Sequence, residues 1–161
     1  MIRRYNEGDH VAIAEIFPRA IHDIASEHYT KEQCLAWSEE EPNPESWRQR
    51  CAKKKPFVFV QENHVVGFLE LEEDGHIDCM YVHPEAKRKG IASALIEHAV
   101  RTALQKGKKR IFVEASICAK PVFERKGFRV IKEKEVVIRN ERLKNYDMEL
   151  TKTEPVEIAN T

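Results

Sequence analysis

The sequence predicts a mixed α/β domain with a mostly antiparallel central sheet of six to seven strands, flanked by helices. Three observations predict it. Apolar runs of strand length at 57–60, 65–69 and 76–83 follow one another across short polar connections, as in an antiparallel meander. Ile91, Ala92, Leu95, Ile96, Ala99, Val100, Ala103 and Leu104 then make the broad apolar stripe of a helix packed on a sheet. After that helix, Ile111, Phe112 and Val113 form a further strand, and Tyr146, Met148 and Leu150 alternate with Asp147 and Glu149 in another.

Taken in order, residues 2–5 predict a short first strand, and Asn6, Glu7 and Gly8 a turn. Asp9 has the side chain to cap a helix with Val11, Ala14, Phe17 and Ile21 on one face, which Pro18 should kink or divide. Thr30 and Gln33 have capping-box spacing and predict a second helix bearing Leu35 and Trp37, ended by Pro42 and Pro44. A short helix over 46–53 surrounds Trp47. In the meander, 61–64 is a hairpin connection and 72–75 the next turn. Gly107 is the natural stop of the striped helix. Residues 116–126 predict a short helix closed by Gly127, and 128–138 with 142–150 a final hairpin. We expect one domain over 1–150 and a loose tail over 151–161, with no repeat or low-complexity segment.

Composition narrows the function classes. The 27 basic and 27 acidic residues cancel, so any basic site must be local. No apolar run approaches a membrane span, and the first six residues lack the hydrophobic region of a secretory signal, so the expected location is cytoplasmic, with no membrane partner. Cys34, Cys51, Cys79 and Cys118 show no CxxC spacing and are expected as free thiols. The seven histidines form no HExxH-like pair, so no metal is expected.

The chemistry-bearing stretch begins at Met80, Tyr81 and Val82. Pro84 stops this apolar strand end, and Lys87, Arg88, Lys89 and Gly90 lead into the striped helix. The first amides of a helix lack internal partners and carry the positive end of its dipole, so a side-chain-free Gly90 lets a phosphate approach them. Three cations beside it raise the local potential.

This loop, Lys87-Arg88-Lys89-Gly90-Ile91-Ala92, resembles motif A of the GNAT superfamily of N-acetyltransferases. The preceding Val82-His83-Pro84 and the later Gly127-Phe128 match the family's order of elements to about Leu150. The resemblance implies acetyl-CoA as cosubstrate. Amides from Lys87 to Ser93, including those of Gly90, Ile91 and Ala92, would hold its pyrophosphate, and the backbone of Met80, Tyr81 and Val82 would pair with its pantetheine arm. Two departures stand out. Lys87 replaces the usual Gln or Arg, and Ser116 and Phe123 occupy positions where members often carry Asn and the Tyr that protonates the leaving thiolate. A thiol with a pKa of about 8.5 leaves tolerably as its anion, so that acid is dispensable. Phe123 would pack against the cofactor.

The acceptor implied is a primary amine of a small molecule or peptide, attacking directly in a ternary complex. Such an amine is protonated near neutrality and needs a base. Glu70 and Asp78, within the meander strands, are the first candidates, with His76 and Glu114 as weaker ones. An oxyanion would meet a strand amide, that of Tyr81. His22, Tyr29, Trp37 and Trp47 are candidates for the acceptor wall, although aromatics at helical spacing are usually core. Glu39, Glu40 and Glu41 would suit a cationic amine. Two alternatives remain: a CoA-binding module without turnover, and a nucleic-acid-binding domain using Lys87, Arg88 and Lys89 with residues 106–110. Zero net charge counts against the second, and no nucleic-acid partner is expected. The final hairpin offers edges for a second chain, so the protein is expected to be a monomer or a homodimer.

Overall fold

In the computed structural model, which describes residues 1–86 and 90–152, the apolar runs pair into one seven-stranded sheet of order β1-β2-β3-β4-β5-β7-β6. The strands are β1 (Ile2–Arg4), β2 (Phe57–Gln61), β3 (His64–Leu71), β4 (His76–Val82), β5 (Arg110–Ser116), β6 (Arg129–Ile138) and β7 (Glu141–Thr151). The helices are α1 (His10–Asp23), α2 (Lys31–Trp37), α3 (Pro44–Lys54), α4 (Ile91–Gln105) and α5 (Lys120–Arg125). Neighbouring strands run antiparallel except β4 and β5, which are joined through α4 and run parallel. Two turns are closed by residue pairs with positive φ, Glu62-Asn63 and Arg139-Asn140, the conformation that two-residue hairpins require.

Each sheet face has its own core. Ile91, Leu95, Ile96 and Ala99 of α4 and Phe123 of α5 pack with Leu69, Ile77, Ile111, Val113 and Met148 of the strands. On the other face, Ile13, Ala14 and Ile16 of α1 and Trp47 and Cys51 of α3 cover Val58 and Phe68. Ile21, Tyr29 and Cys34 close over Leu143 of β7. None of the four cysteines is in a disulfide.

Several local expectations need correction. Asp9 precedes α1 but makes no side-chain cap; its carboxylate instead takes the Arg3 guanidinium at 2.7 Å and the Asn6 amide at 2.7 Å. Val11 points to solvent, and the buried face is Ile13, Ala14, Ile16, Ala20 and Ile21. Pro18 does not divide the helix, because apolar packing on both sides of it holds the turn despite the lost hydrogen bond. Leu35 is exposed. Pro44 opens α3 rather than ending α2; Asn43 caps Ser46 at 3.2 Å, and proline at the first helical turn gives up no needed donor. Residues 116–119 belong to the end of β5 and a turn, leaving α5 only Lys120–Arg125. Of the expected tail, Thr151 ends β7, and 153–161 lie outside the described residues.

The capping box at α2 is complete. The Thr30 hydroxyl accepts from the Gln33 amide at 3.0 Å, and the Thr30 amide donates to the Gln33 side chain at 2.8 Å. The Gln33 side chain also donates to the Arg142 carbonyl at 2.6 Å, tying the cap to β7. Thr30→Ala should lower stability by about 1 kcal/mol, read as a shift of the urea midpoint at unchanged slope.

Candidate active site

The site starts from an incomplete strand pairing. Only His76 with Phe112 and Ile77 with Val113 pair between β4 and β5. Beyond them the two strands separate, leaving the facing edges of Met80, Tyr81 and Val82 and of Ala115 and Ser116 without partners from one another. The gap opens towards α4, whose preceding residue Gly90 adopts φ +72, with nothing within 4 Å of where a Cβ would stand. No side chain caps α4, so its first amides are free to take an anion. Ile91 is buried beneath them, and Ala92 and Ser93 are half-buried. Lys87, Arg88 and Lys89 lie outside the described residues.

A bulge aims the middle of β4. Glu70 pairs with Cys79 and Leu71 with Ile77, so Asp78 is an extra residue. Ile77 faces the α4 core, whereas Asp78 and Cys79 both turn towards α3. There α3 supplies two cations four residues apart. Arg50 grips both oxygens of Glu70 at 2.7 and 2.6 Å and reaches Asp78 at 3.0 Å. Lys54 lies 2.6 Å from Asp78 and 2.5 Å from Glu72. His76 continues the chain, with Nδ1 2.7 Å from Glu72 and Nε2 2.7 Å from Glu114 of β5. Its ring stacks on Phe112 at 4.9 Å.

These contacts set the charge states. Burial lowers the His76 pKa, but its hydrogen bonds to Glu114 and Glu72 outweigh burial and leave it above the ordinary value. Hydrogen bonding to Glu70 raises the Arg50 pKa against the desolvation that lowers it. Burial lifts the Cys79 thiol well above its usual range, and its side chain packs against the core beneath α1 and α3.

The two first base candidates therefore sit in an ion-pair network. Glu70 is fully buried and bidentately held, which leaves a substrate amine no approach to it. Asp78 shares its Oδ2 between two cations. Sequence reading missed Arg50 and Lys54, and treated Glu72 as a turn residue. Their signal was a helical i,i+4 pair of cations upstream of strand acids, which names no partner until the register is known.

The acceptor-wall candidates divide. Trp47 is core, 8% exposed, and stacks edge-on against Phe68 at 5.4 Å. The Tyr29 hydroxyl donates to the Lys144 carbonyl at 2.6 Å and accepts from the Ile117 amide at 3.0 Å, and burial pushes its pKa up to about 12. It fastens the end of β5 to β7. His22 Nε2 lies 2.7 Å from the Ser38 carbonyl. Trp37 donates to the Tyr81 hydroxyl at 3.1 Å. Trp37, Phe17 and an edge of Trp47 line a cavity of about 230 Å³ shared with Glu39, Glu41 and Arg139.

Near the gap, the Ser116 hydroxyl accepts from the Ala119 amide at 3.2 Å and lies 3.2 Å from the Cys118 thiol. Phe123 is buried edge-on against Phe128 at 5.1 Å. Among the described residues, no group of three His, Cys, Asp or Glu could hold a metal ion, and no helix is long and apolar enough to cross a membrane.

Comparison with known proteins agrees with this architecture. Residues 25–152 match the family model of the acetyltransferase (GNAT) domain. YafP of Escherichia coli K12, described as an uncharacterized N-acetyltransferase, is 36% identical over 147 residues, covering 91% of this chain and 93% of its own. Among solved structures, a GCN5-related N-acetyltransferase from Rhodopseudomonas palustris superposes with a TM-score of 0.87 at 26% identity, covering 94% of this chain and 95% of its own. The Salmonella typhimurium protein yncA, solved with its cofactor acetyl-CoA, shares the fold at 19% identity with a TM-score of 0.71, covering 96% of this chain and 94% of its own. A domain match spanning most of the chain, together with a relative more than one-third identical along nine-tenths of it, makes this protein a member of the GNAT family of acetyltransferases.

Proposed function

We propose that the protein transfers the acetyl group of acetyl-CoA to a primary amine of a small molecule or peptide, by direct attack in a ternary complex. The observation that carries this reading is the separation of β4 from β5 beyond Ile77 and Val113, beside the uncapped N-terminus of α4. The open edge of Met80, Tyr81 and Val82 would pair with the pantetheine amides as a further strand would. The amides of Ile91, Ala92 and Ser93, approached over Gly90, would hold the pyrophosphate, with Lys87, Arg88 and Lys89 adding charge. Ser116 and Phe123 would shape the β5 side of the slot. No Tyr occupies position 123, so the thiolate departs without a donor there.

The acceptor would enter from the α1, α2 and α3 face. There Phe17, Trp37 and an edge of Trp47 give an aromatic lining, and Glu39 and Glu41 negative charge, which together favour a cationic amine. His22 and Tyr29 support this wall from behind through their bonds to backbone.

Thermal unfolding with acetyl-CoA tests the reading. At a hundred times its dissociation constant the cosubstrate should add about 2.7 kcal/mol, or about 5 to 10 °C in a domain of this size. An unmoved melting temperature at millimolar acetyl-CoA would reject both the transferase and a CoA-binding module. Thiol release over a panel of primary amines then separates the two.

A further inference from the structure

The cleft face holds one carboxylate that the ion-pair network steadies without enclosing. Glu114 is the first residue of β5 past its last pair with β4, so it stands where the two strands part. Its side chain is 37% exposed, against 0% for Glu70, and no Lys or Arg pairs with it among the described residues. It lies on the acceptor face, since Ile111, Val113 and Ala115 of the same strand point into the α4 core. Its cross-strand neighbour is Asp147 of β7, which Lys134 approaches at 2.9 Å. Behind it, His76 fixes one oxygen through Nε2 and is itself held by Glu72 through Nδ1. The imidazole rests on Phe112, whose ring also carries the Arg110 guanidinium at 4.3 Å.

Resting on the reading above, we propose that Glu114 is the group that takes the proton from the acceptor ammonium, with His76 as the residue that positions it. In this step one ammonium N–H bond breaks and its proton moves to the free Glu114 oxygen. The amine lone pair then forms the C–N bond to the thioester carbonyl carbon. Collapse of the adduct breaks the C–S bond and leaves the electron pair on sulfur. The second nitrogen proton ends on that thiolate, and Glu114 returns its own to water, to which it is open. Arg50 and Lys54 keep Glu70, Asp78 and Glu72 occupied, so none of these competes for the amine. His76, braced at Nδ1 by Glu72, holds one Glu114 oxygen through Nε2 and so aims the other at the cleft.

The test is initial-rate thiol release with acetyl-CoA and three probe amines, lysine amide, tyramine and spermidine, at pH values from about 6 to 10. Glu114→Gln should lower kcat/KM by about 10²- to 10⁴-fold near pH 7. The deficit should shrink towards pH 10, about where an alkylamine sheds its proton unaided. The variant should keep the stabilisation by acetyl-CoA. His76→Ala should lower kcat/KM, and His76→Gln, whose amide can replace the Nε2 contact to Glu114, should recover most of that loss, a rescue that mere loosening of the fold does not produce. Wild-type rates for Glu114→Gln across the range, or an equal-fold loss at every pH, would overturn the assignment while leaving the acetyltransferase reading intact. Equal losses in His76→Ala and His76→Gln would remove His76 from it. Failure of acetyl-CoA to stabilise the wild-type protein would take away the reading on which it rests.

Discussion

Arg50→Met should be among the most destabilising substitutions outside the apolar core, at about 3 kcal/mol, or about 6 to 12 °C in melting temperature. The reason lies in its partner. Glu70 is fully buried, and both of its oxygens accept from the Arg50 guanidinium. Removing the cation leaves a fully buried carboxylate without its two donors, in an apolar strand between Phe68 and Leu69 on one side and Leu71 on the other. The estimate is at the low end for such losses because Arg50 itself is 41% exposed and already partly hydrated.

The deficit should depend on pH. A buried carboxyl without its cation avoids the penalty only by binding a proton. The cost is therefore largest near neutrality and shrinks as pH falls towards about 4.3, where the unfolded chain binds the same proton. Adding Glu70→Leu to Arg50→Met should restore most of the loss, since an apolar pair of similar volume has no desolvation to offset. A double variant no more stable than Arg50→Met would show that Arg50 acts through its packing on Trp47, 5.4 Å from the ring centroid, and not through charge. Lys54→Met should cost less, about 1 kcal/mol or below, because Asp78 and Glu72 are both about one-third exposed and can turn to water.

The same network marks where sequence reading stops. Features decided within a few residues were legible: the Thr30 and Gln33 capping box, the hairpin connections within 61–64 and 139–141, and the α4 stripe from Ile91 to Leu104. The order of elements also gave the family, because motif A, Val82-His83-Pro84 and Gly127-Phe128 fall at the right places along one chain. What failed was decided across the chain. Asp9 abandons its helix for Arg3 on β1, and Pro18 is tolerated because its neighbours are buried. The bulge at Asp78 puts two successive residues on one side of β4, which alternation cannot anticipate. Arg50 and Glu70 are twenty residues apart, and only the crossing of α3 over the sheet brings them together. The ranking of acids as bases depended on that crossing, so the sequence placed Glu70 and Asp78 ahead of Glu114 with no sign of the cations that occupy them.

Gly75→Ala should be the second large effect, and it should reach the cleft. Gly75 closes the β3–β4 turn with φ +95, its amide donating to the Glu72 carbonyl at 3.1 Å. Its own carbonyl accepts from the Phe112 amide at 3.1 Å, which fastens the turn to β5. A Cβ here would stand 2.4 Å from the Arg110 carbonyl oxygen, a backbone atom that cannot rotate away. Positive φ costs an alanine about 1 kcal/mol, and displacing packed backbone about 1–3 more, so the total should be about 3 kcal/mol. The strain falls where β4 and β5 hold together by two residue pairs, so relieving it should widen or tilt the gap above them. Acetyl-CoA should then bind more weakly even well below the melting temperature. Gly107→Ala separates the two contributions: its φ is +84, but nothing lies within 4 Å of the added carbon. It should lose about 1 kcal/mol and bind acetyl-CoA as the wild type does. Equal losses for the two variants would mean that the clash with Arg110 relaxes freely, and that the turn does not set the β4–β5 opening.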